Sequence, residues 1–364
     1  MAEMRNTPTI TIIIPTYQRP RLLKRALKSA LDQTYSNIQI CIYDNASGDE
    51  TEEMVKDLME KDHRIRYHCH PENIGMMANY QFAMAEVTTP FFSLLSDDDV
   101  LFPWYCETAL KGFQQFPDAA FSAGSTIIMT EDGKVVRVPL DLWQREGYFS
   151  SPEGLLEMIT KYPVPTCILF KREVIDAIPI DMNNILGWDV DYLIQIAIRF
   201  PFYVNSHPCG IFLQHSASFS NSQEMKNWIS MYTKLIVRLQ STSNLLQETR
   251  ELAISWINKD IKCVSAAYIR HYLMLRRLRD AQEAITIFRS QKGSWIVSSL
   301  MSILIKTCTY FPSTYKLLLW ARKTKRTLRS ALLGSFLFSR KKKGKKEDQH
   351  SGYEQYGQWL HIDI

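Results

Sequence analysis

The feature that most constrains the fold is the run Thr9-Ile10-Thr11-Ile12-Ile13-Ile14, almost unbroken in β-branched residues. A strand with one wet face alternates apolar and polar residues. A strand without that alternation is covered on both faces, as in a parallel sheet flanked by helices. Pro15-Thr16-Tyr17-Gln18-Arg19-Pro20 breaks the run, and a helical stripe follows: Leu23, Leu27 and Leu31 with Ala26 and Ala30, opposed by Arg21, Lys24, Arg25 and Lys28. The unit then repeats. Strand signals at 38–43, 65–69 and 90–95 alternate with helix signals at 50–60 and 76–85. Such alternation implies a parallel sheet with right-handed crossovers, whose ligands bind at the carboxyl ends of the strands.

Every polar cluster of the first hundred residues falls at one of those ends: 16–19, Asp44 to Asp49, Asn73 to Gly75, and Asp97-Asp98-Asp99. Three adjacent carboxylates after a buried strand raise one another's cost of ionisation. A hard divalent cation such as Mg²⁺ or Mn²⁺ removes that cost. The loops match neither a Gly-x-Gly-x-x-Gly dinucleotide fingerprint nor a phosphate-cradling Lys-Ser/Thr loop, which sets aside those two nucleotide sites.

Further along, strands are expected at 119–129, 167–170 and 202–213, giving a mixed sheet. Gly187-Trp188-Asp189-Val190-Asp191-Tyr192 opens a helix at 193–199, and an uninterrupted helical pattern runs over 228–288. The seven cysteines show no Cys-x-x-Cys spacing, which argues against a zinc site or a disulfide framework and fits a reducing cytosol. No leader is visible before the first strand, so a cytoplasmic location is expected. The net charge of +5 hides an asymmetry. Residues 322–346 hold eleven Lys and Arg and no acid, leaving a body with 32 basic against 38 acidic residues.

The blocks Thr11-Ile12-Ile13-Ile14-Pro15-Thr16-Tyr17-Gln18-Arg19, Tyr43-Asp44-Asn45-Ala46-Ser47-Gly48-Asp49, Asn73-Ile74-Gly75 and Ser96-Asp97-Asp98-Asp99 match, in order and spacing, those of another group of enzymes. Over roughly residues 8–220 the chain resembles a family 2 nucleotide-sugar glycosyltransferase. The resemblance implies an α/β fold of GT-A type, a Rossmann-like mixed sheet flanked by helices, followed here by a helical C-terminal region. It also implies a metal-dependent inverting transfer from a nucleoside diphosphate sugar to a glycan or lipid-linked acceptor, with Mn²⁺ or Mg²⁺ bound. By resemblance, Pro15, Thr16, Tyr17 and Arg19 line the nucleotide pocket with Asn45, Ser47, Asn73 and Gly75, and Asp44 hydrogen-bonds the base. The metal element has Ser96 where the family often has Asp, so the working pair is Asp97 with Asp99 or Asp98 with Asp99. Asp99, common to both, is expected as the direct ligand, with Asp97 and His215 beside it. An inverting transfer needs a base for the acceptor hydroxyl; Asp189 takes that role and Asp191 is the reserve, with Trp188 standing where the family has Glu.

The expected organisation is a catalytic domain at 1–225, a helical extension at 226–290 and a basic amphipathic tail at 291–364. The uncharged run 293–305 is too short to span a bilayer. Apolar clusters between basic residues suit the anionic cytoplasmic face of a membrane. No aromatic-basic module accompanies the basic run, so nucleic acid is not an expected partner. Two other readings are a sugar nucleotidyltransferase, disfavoured because 15–20 holds no glycine, and a non-catalytic nucleotide-sugar-binding scaffold at a membrane.

Overall fold

The computed structural model describes residues 7–181, 185–215, 223–310 and 353–361. Backbone contacts divide the chain into one unit of residues 1–221 with 348–364 and another of 222–347. The first unit is built on a mixed sheet. In chain order its elements are β1 (Ile10–Thr16), α1 (Pro20–Leu31), β2 (Ile38–Asp44), α2 (Thr51–Met59), β3 (Ile65–Cys69), α3 (Met76–Ala85), β4 (Phe91–Leu94), β5 (Val100–Leu101) and α4 (Tyr105–Gln115). There follow β6 (Phe121–Thr130), β7 (Val135–Arg137), β8 (Gly147–Phe149), α5 (Leu155–Lys161), β9 (Ile168–Lys171), α6 (Glu173–Ala177), α7 (Trp188–Arg199) and β10 (Phe202–Gln214).

The sheet runs β3-β2-β1-β4-β9-β6-β10-β5, with β7 on β6 and β8 on β10. The first four strands are parallel, β9 lies antiparallel between β4 and β6, and β6 pairs parallel with β10. All seven residues of β1 are buried, as its β-branched run requires. On one face Ile10, Ile12 and Ile14 pack with Leu23 and Leu27 of α1, Val55 of α2 and Tyr105 of α4. Pro20 opens α1 at a position where a missing backbone N–H costs nothing, and Lys28 in its last turn complements the helix dipole.

Helix α7 begins at Trp188, five residues before the expected start. Gly187 takes the left-handed conformation (φ 73°) that reverses the chain into it. Asp189 and Asp191 therefore sit in the first turn of the helix rather than ahead of it.

The second unit holds α8 (Met225–Ser241), α9 (Gln247–Met274), α10 (Leu278–Ser290) and α11 (Trp295–Tyr310). The single helical stretch expected over 228–288 is thus three helices. The Thr242 hydroxyl donates to the Arg238 carbonyl, competing with the helix ladder there. Arg276 turns left-handed at the second break, where the Arg277 guanidinium covers the Tyr272 ring at 4.8 Å. Ile305 of α11 shares a core with Ile269 and Leu273 of α9 and Ala284, Ile285 and Phe288 of α10. Among the described residues no helix is long and apolar enough to cross a membrane. The basic run 340–346 lies outside the described residues.

A short 3₁₀ segment, Glu354–His361, packs on the first unit. Leu360 is buried with Val100, Phe102, Ile211 and Leu213, Tyr356 stacks on Phe102 at 4.9 Å, and the Tyr353 hydroxyl donates to Asp141 at 2.9 Å.

Candidate functional site

The parallel strands β1, β2 and β4 deliver three loops to one end of the sheet, and side-chain hydrogen bonds join them. Thr16 ends β1 opposite Asp44 at the end of β2. Gln18, left-handed at φ 53°, donates its backbone N–H to Ser47 Oγ at 2.8 Å. Ser47 in turn donates N–H and O–H to Asp44 Oδ1, at 2.9 and 2.6 Å. The Tyr67 hydroxyl, from β3, donates to Asp44 Oδ2 at 2.6 Å. Asp44 is 1% exposed, and both of its oxygens already hold the loop in shape. Asn45 donates to Asn73 Oδ1 at 2.9 Å and accepts from the Ile74 N–H at 2.9 Å, tying the β2 loop to the turn before α3. Asn73 Oδ1 also caps the Gly75 N–H, with Gly75 at φ 87°. Tyr17 and Ile74 stay exposed on these loops.

The three aspartates point in three directions. Asp97 accepts from the Thr16 hydroxyl at 2.9 Å and from Arg19 at 3.1 Å. Its burial, with the Asp98 charge beside it, lifts its pKa to about 6 against the pull of Arg19 and Thr16. Asp98 accepts from Arg19 at 3.2 Å and meets His215 Nε2 at 3.0 Å through the same Oδ2, while its backbone carbonyl accepts from Arg25 at 2.7 Å. Asp99 turns inward. It is fully buried, one oxygen accepts from the Leu213 N–H at 3.0 Å, and the other bonds the Thr166 hydroxyl. Burial, and then Asp98, push its pKa well up. Arg19 is partly buried, which lowers its pKa, but Asp97 and Asp98 together hold it above its ordinary value. These groups bring Thr16, Arg19, Asp97, Asp98 and His215 together around one point. Asp99, favoured from the sequence as the direct ligand, faces β10 instead.

A cation at this point finds a carboxylate oxygen and an imidazole nitrogen already converged. Among the described residues no group of three His, Cys, Asp or Glu side chains surrounds it, so the remaining ligands have to come from the bound molecule and from water. That mixed oxygen and nitrogen pair fits Mn²⁺ more readily than Mg²⁺, which prefers all-oxygen octahedra.

Tyr80 of α3 joins this cluster to α7. Its pKa is raised by burial and then by Asp97, Asp98 and Asp99, against the pull of Ser96. On its other side its ring centroid lies 4.8 Å from that of Trp188. Asp189, next in the chain, is half-buried, and loss of water raises its pKa against the backbone N–H groups of Val190 and its own residue. Asp191 is 3% exposed and accepts from Gln195 at 3.0 Å, one turn along the same helix. Sequence reasoning missed Tyr80, Tyr67, Arg25 and Thr166. A Tyr in an apolar helix and a Thr after Pro carry no local mark of such roles, because each meets its partner only in the folded sheet.

The family model for glycosyl transferase family 2 matches residues 11–178. A 105-residue stretch is 30% identical to the GalNAc(5)-diNAcBac-PP-undecaprenol beta-1,3-glucosyltransferase of Campylobacter jejuni, covering 29% of this chain and 34% of that protein. Another, of 107 residues, is 32% identical to glycosyltransferase GlyA of Streptococcus pneumoniae, covering 29% of this chain and 15% of that one. The matches thus span about a third or less of these relatives' lengths. Among solved structures, TarS of S. aureus in complex with UDP-GlcNAc superposes with a TM-score of 0.59 at 13% identity, over 78% of this chain and 80% of that one. The mannosyltransferase PcManGT of Pyrobaculum calidifontis, in complex with GDP-Man and Mn²⁺, gives 0.51 at 15% identity, over 89% and 88%. These likenesses show the fold, a GT-A-type mixed sheet with a helical C-terminal region. With its loops at the carboxyl ends of β1, β2 and β4, the chain carries over residues 11–178 a segment that matches glycosyl transferase family 2.

Proposed function

We propose that the protein transfers a sugar from a nucleoside diphosphate sugar to a hydroxyl of a glycan or lipid-linked acceptor, with inversion and with Mn²⁺ bound. The observation that carries this reading is the convergence of Asp98, His215 and Arg19 at the carboxyl ends of β1 and β4, with Tyr80 leading from them to Trp188 and Asp189. The base and ribose lie against Pro15, Thr16, Tyr17, Asn45, Ser47, Asn73 and Gly75, whose loops are already tied together. Asp44 and Asn45 serve mainly as the ties, through Ser47, Tyr67 and Ile74.

Asp98 and His215 are the metal ligands, and the cation, when bound, offsets the charge that builds on the departing diphosphate. Arg19 exchanges part of its contact with Asp97 and Asp98 for a phosphate oxygen, a pairing its planar fork suits. Asp189 takes the proton of the acceptor hydroxyl. Its raised pKa makes it a better base than an ordinary carboxylate. Asp191, held by Gln195, positions the first turn of α7. The lipid-linked acceptor named for the Campylobacter jejuni relative supports an acceptor at a membrane surface, and the basic run 340–346 gives the chain an affinity for anionic lipid.

The test is incubation with nucleotide sugars and Mn²⁺, following release of nucleoside diphosphate and the anomeric configuration of the product by NMR. Slow donor hydrolysis that EDTA abolishes, and a product of inverted configuration with acceptor, are the expected results. Neither hydrolysis nor a thermal shift with any nucleotide sugar would sink the reading.

A further inference from the structure

The geometry points to a sugar-stacking platform for the acceptor, made by Trp188 and Tyr80, so that the acceptor group held next to the base is a pyranoside. This inference rests on the transferase reading and adds the chemical class of the acceptor. Five aromatic residues form a continuous path from the core to the site. Phe92 and Phe170 stack at 5.2 Å, Phe170 meets Tyr192 at 6.0 Å, Tyr192 meets Trp188 at 6.5 Å, and Trp188 meets Tyr80 at 4.8 Å. The inner members are core: Phe92 is 0%, Phe170 1% and Tyr192 2% exposed. The outer two, Trp188 and Tyr80, are only half-buried. The path therefore ends in a supported aromatic pair with part of its surface outside the core.

That pair lies where an acceptor has to be. Tyr80 abuts Ser96 and the aspartates at the diphosphate end. Trp188 immediately precedes Asp189, so ring and carboxylate both leave the first turn of α7, about 100° apart around its axis. Tyr192 supports Trp188 from the core side, at 6.5 Å between ring centroids. Its hydroxyl is buried and has no hydrogen-bond partner among the described residues, one helical turn from Trp188. A pyranose offers both surfaces this arrangement needs. Its axial C–H groups carry partial positive charge for the negative face of an indole, and its hydroxyls suit the neighbouring carboxylate of Asp189. A bare polyprenyl phosphate offers neither the C–H face nor the ring of hydroxyls.

The experiment is saturation-transfer NMR of the full chain with UDP and Mn²⁺, using methyl β-pyranosides of glucose, galactose and N-acetylglucosamine as probes. For at least one probe, saturation should pass to the ring C–H protons of one sugar face. Trp188→Ala should weaken that binding about tenfold, the loss of one well-placed aromatic contact. Trp188→Phe should restore most of it, and UDP affinity should shift less than about twofold, consistent with Trp188 serving the acceptor side alone. A merely structural Trp188 would lower Tm and UDP affinity together, overturning the inference. Equal pyranoside binding by wild type and Trp188→Ala would overturn it too, as would transfer to undecaprenyl phosphate in vesicles with no pyranoside bound. Should the wild type neither bind nucleotide nor hydrolyse a donor, the transferase reading itself fails, which is a different result.

Discussion

Asp98→Asn and Asp99→Asn make the same chemical change at adjacent positions, and the structure assigns them different outcomes. Asp98 Oδ2 is the atom shared by His215 at 3.0 Å and Arg19 at 3.2 Å, and its side chain keeps 13% of its surface exposed. Asn in its place removes the charge that Arg19 meets and that the proposed cation would meet. Loss of one preorganised group that stabilises transition-state charge costs about 10²–10³ in kcat, and Mn²⁺ affinity should fall with it. Asp99 has no exposed surface and spends both oxygens on Leu213 N–H and Thr166. Burial and the Asp98 charge favour its protonated form. Asparagine mimics that form, with an oxygen left for the Leu213 N–H and an NH₂ to donate to the Thr166 hydroxyl. Exchanging one neutral hydrogen bond for another changes stability by about 1 kcal/mol or less, so transfer should stay within about threefold of wild type, that being under 1 kcal/mol in the barrier. The assay pairs nucleoside diphosphate release at saturating donor with Mn²⁺ titration by EPR. Asp99→Asn losing a hundredfold with its Tm intact, while Asp98→Asn stays active, would refute the assignment and restore Asp99 as the ligand.

Three other outcomes follow from single contacts. Tyr67→Phe removes a donor to the buried Asp44 carboxylate and should cost about 1.5–3 kcal/mol, the range for hydrogen bonds to charged groups, read as Tm, with donor KM raised and kcat little changed. Burial lifts Asp260 of α9 to about 6, above an unfolded value near 4. The folded chain then binds more protons between pH 4 and 6, so this group's contribution to stability falls as pH rises through that window. Asp260→Asn should therefore be neutral near pH 4 and raise stability by about 1–2 kcal/mol at pH 8; an equal effect at both pH values would show that titration is not its cause. Leu360→Asp places a charge among Val100, Phe102 and Leu213 and should release the C-terminal segment. Its Tm should match that of a chain ending at residue 352, and a lower Tm for the point variant would mean the segment stays docked.

Much of the sheet was legible because its first four strands announce themselves chemically. A β-branched run buried on both faces has no competing interpretation, and polar clusters at the carboxyl ends of parallel strands mark a site before any contact is known. The roles of individual side chains were less legible. Asp97, Asp98 and Asp99 are identical in composition and adjacent in sequence. Which of them faces the site is decided by Leu213 and His215, more than a hundred residues later, and by Thr166 beside β9. The first turn of α7 was hidden for a similar reason. Asp189 and Asp191 read as residues before a helix until Gly187 is seen to reverse the chain ahead of Trp188. The docked segment 353–361 gave no signal because four aromatic and aliphatic contacts in nine residues show no helical or strand period.

The physical case for the proposed cation also changes once the structure is known. On sequence alone, three neighbouring carboxylates call for a cation to cancel their repulsion. In the fold most of that repulsion is relieved internally. Asp99 is biased toward its neutral form and tied into β10, and Asp97 is held by Thr16 and Arg19. That leaves Asp98 as the carboxylate whose charge is shared between a guanidinium and an imidazole. Arg19 meets Asp97 and Asp98 through the same nitrogen, Nη1, so a diphosphate that draws this nitrogen weakens its hold on both carboxylates. A donor that draws Arg19 toward its phosphates leaves Asp98 less neutralised, and a divalent cation between Asp98, His215 and the phosphates restores the balance. Metal and donor should therefore bind as one cooperative event, each raising the other's affinity by the same factor. Calorimetric titration of Mn²⁺ with and without UDP measures that factor directly. Mn²⁺ binding equally well in the absence of nucleotide would mean that Arg19 does not link the two.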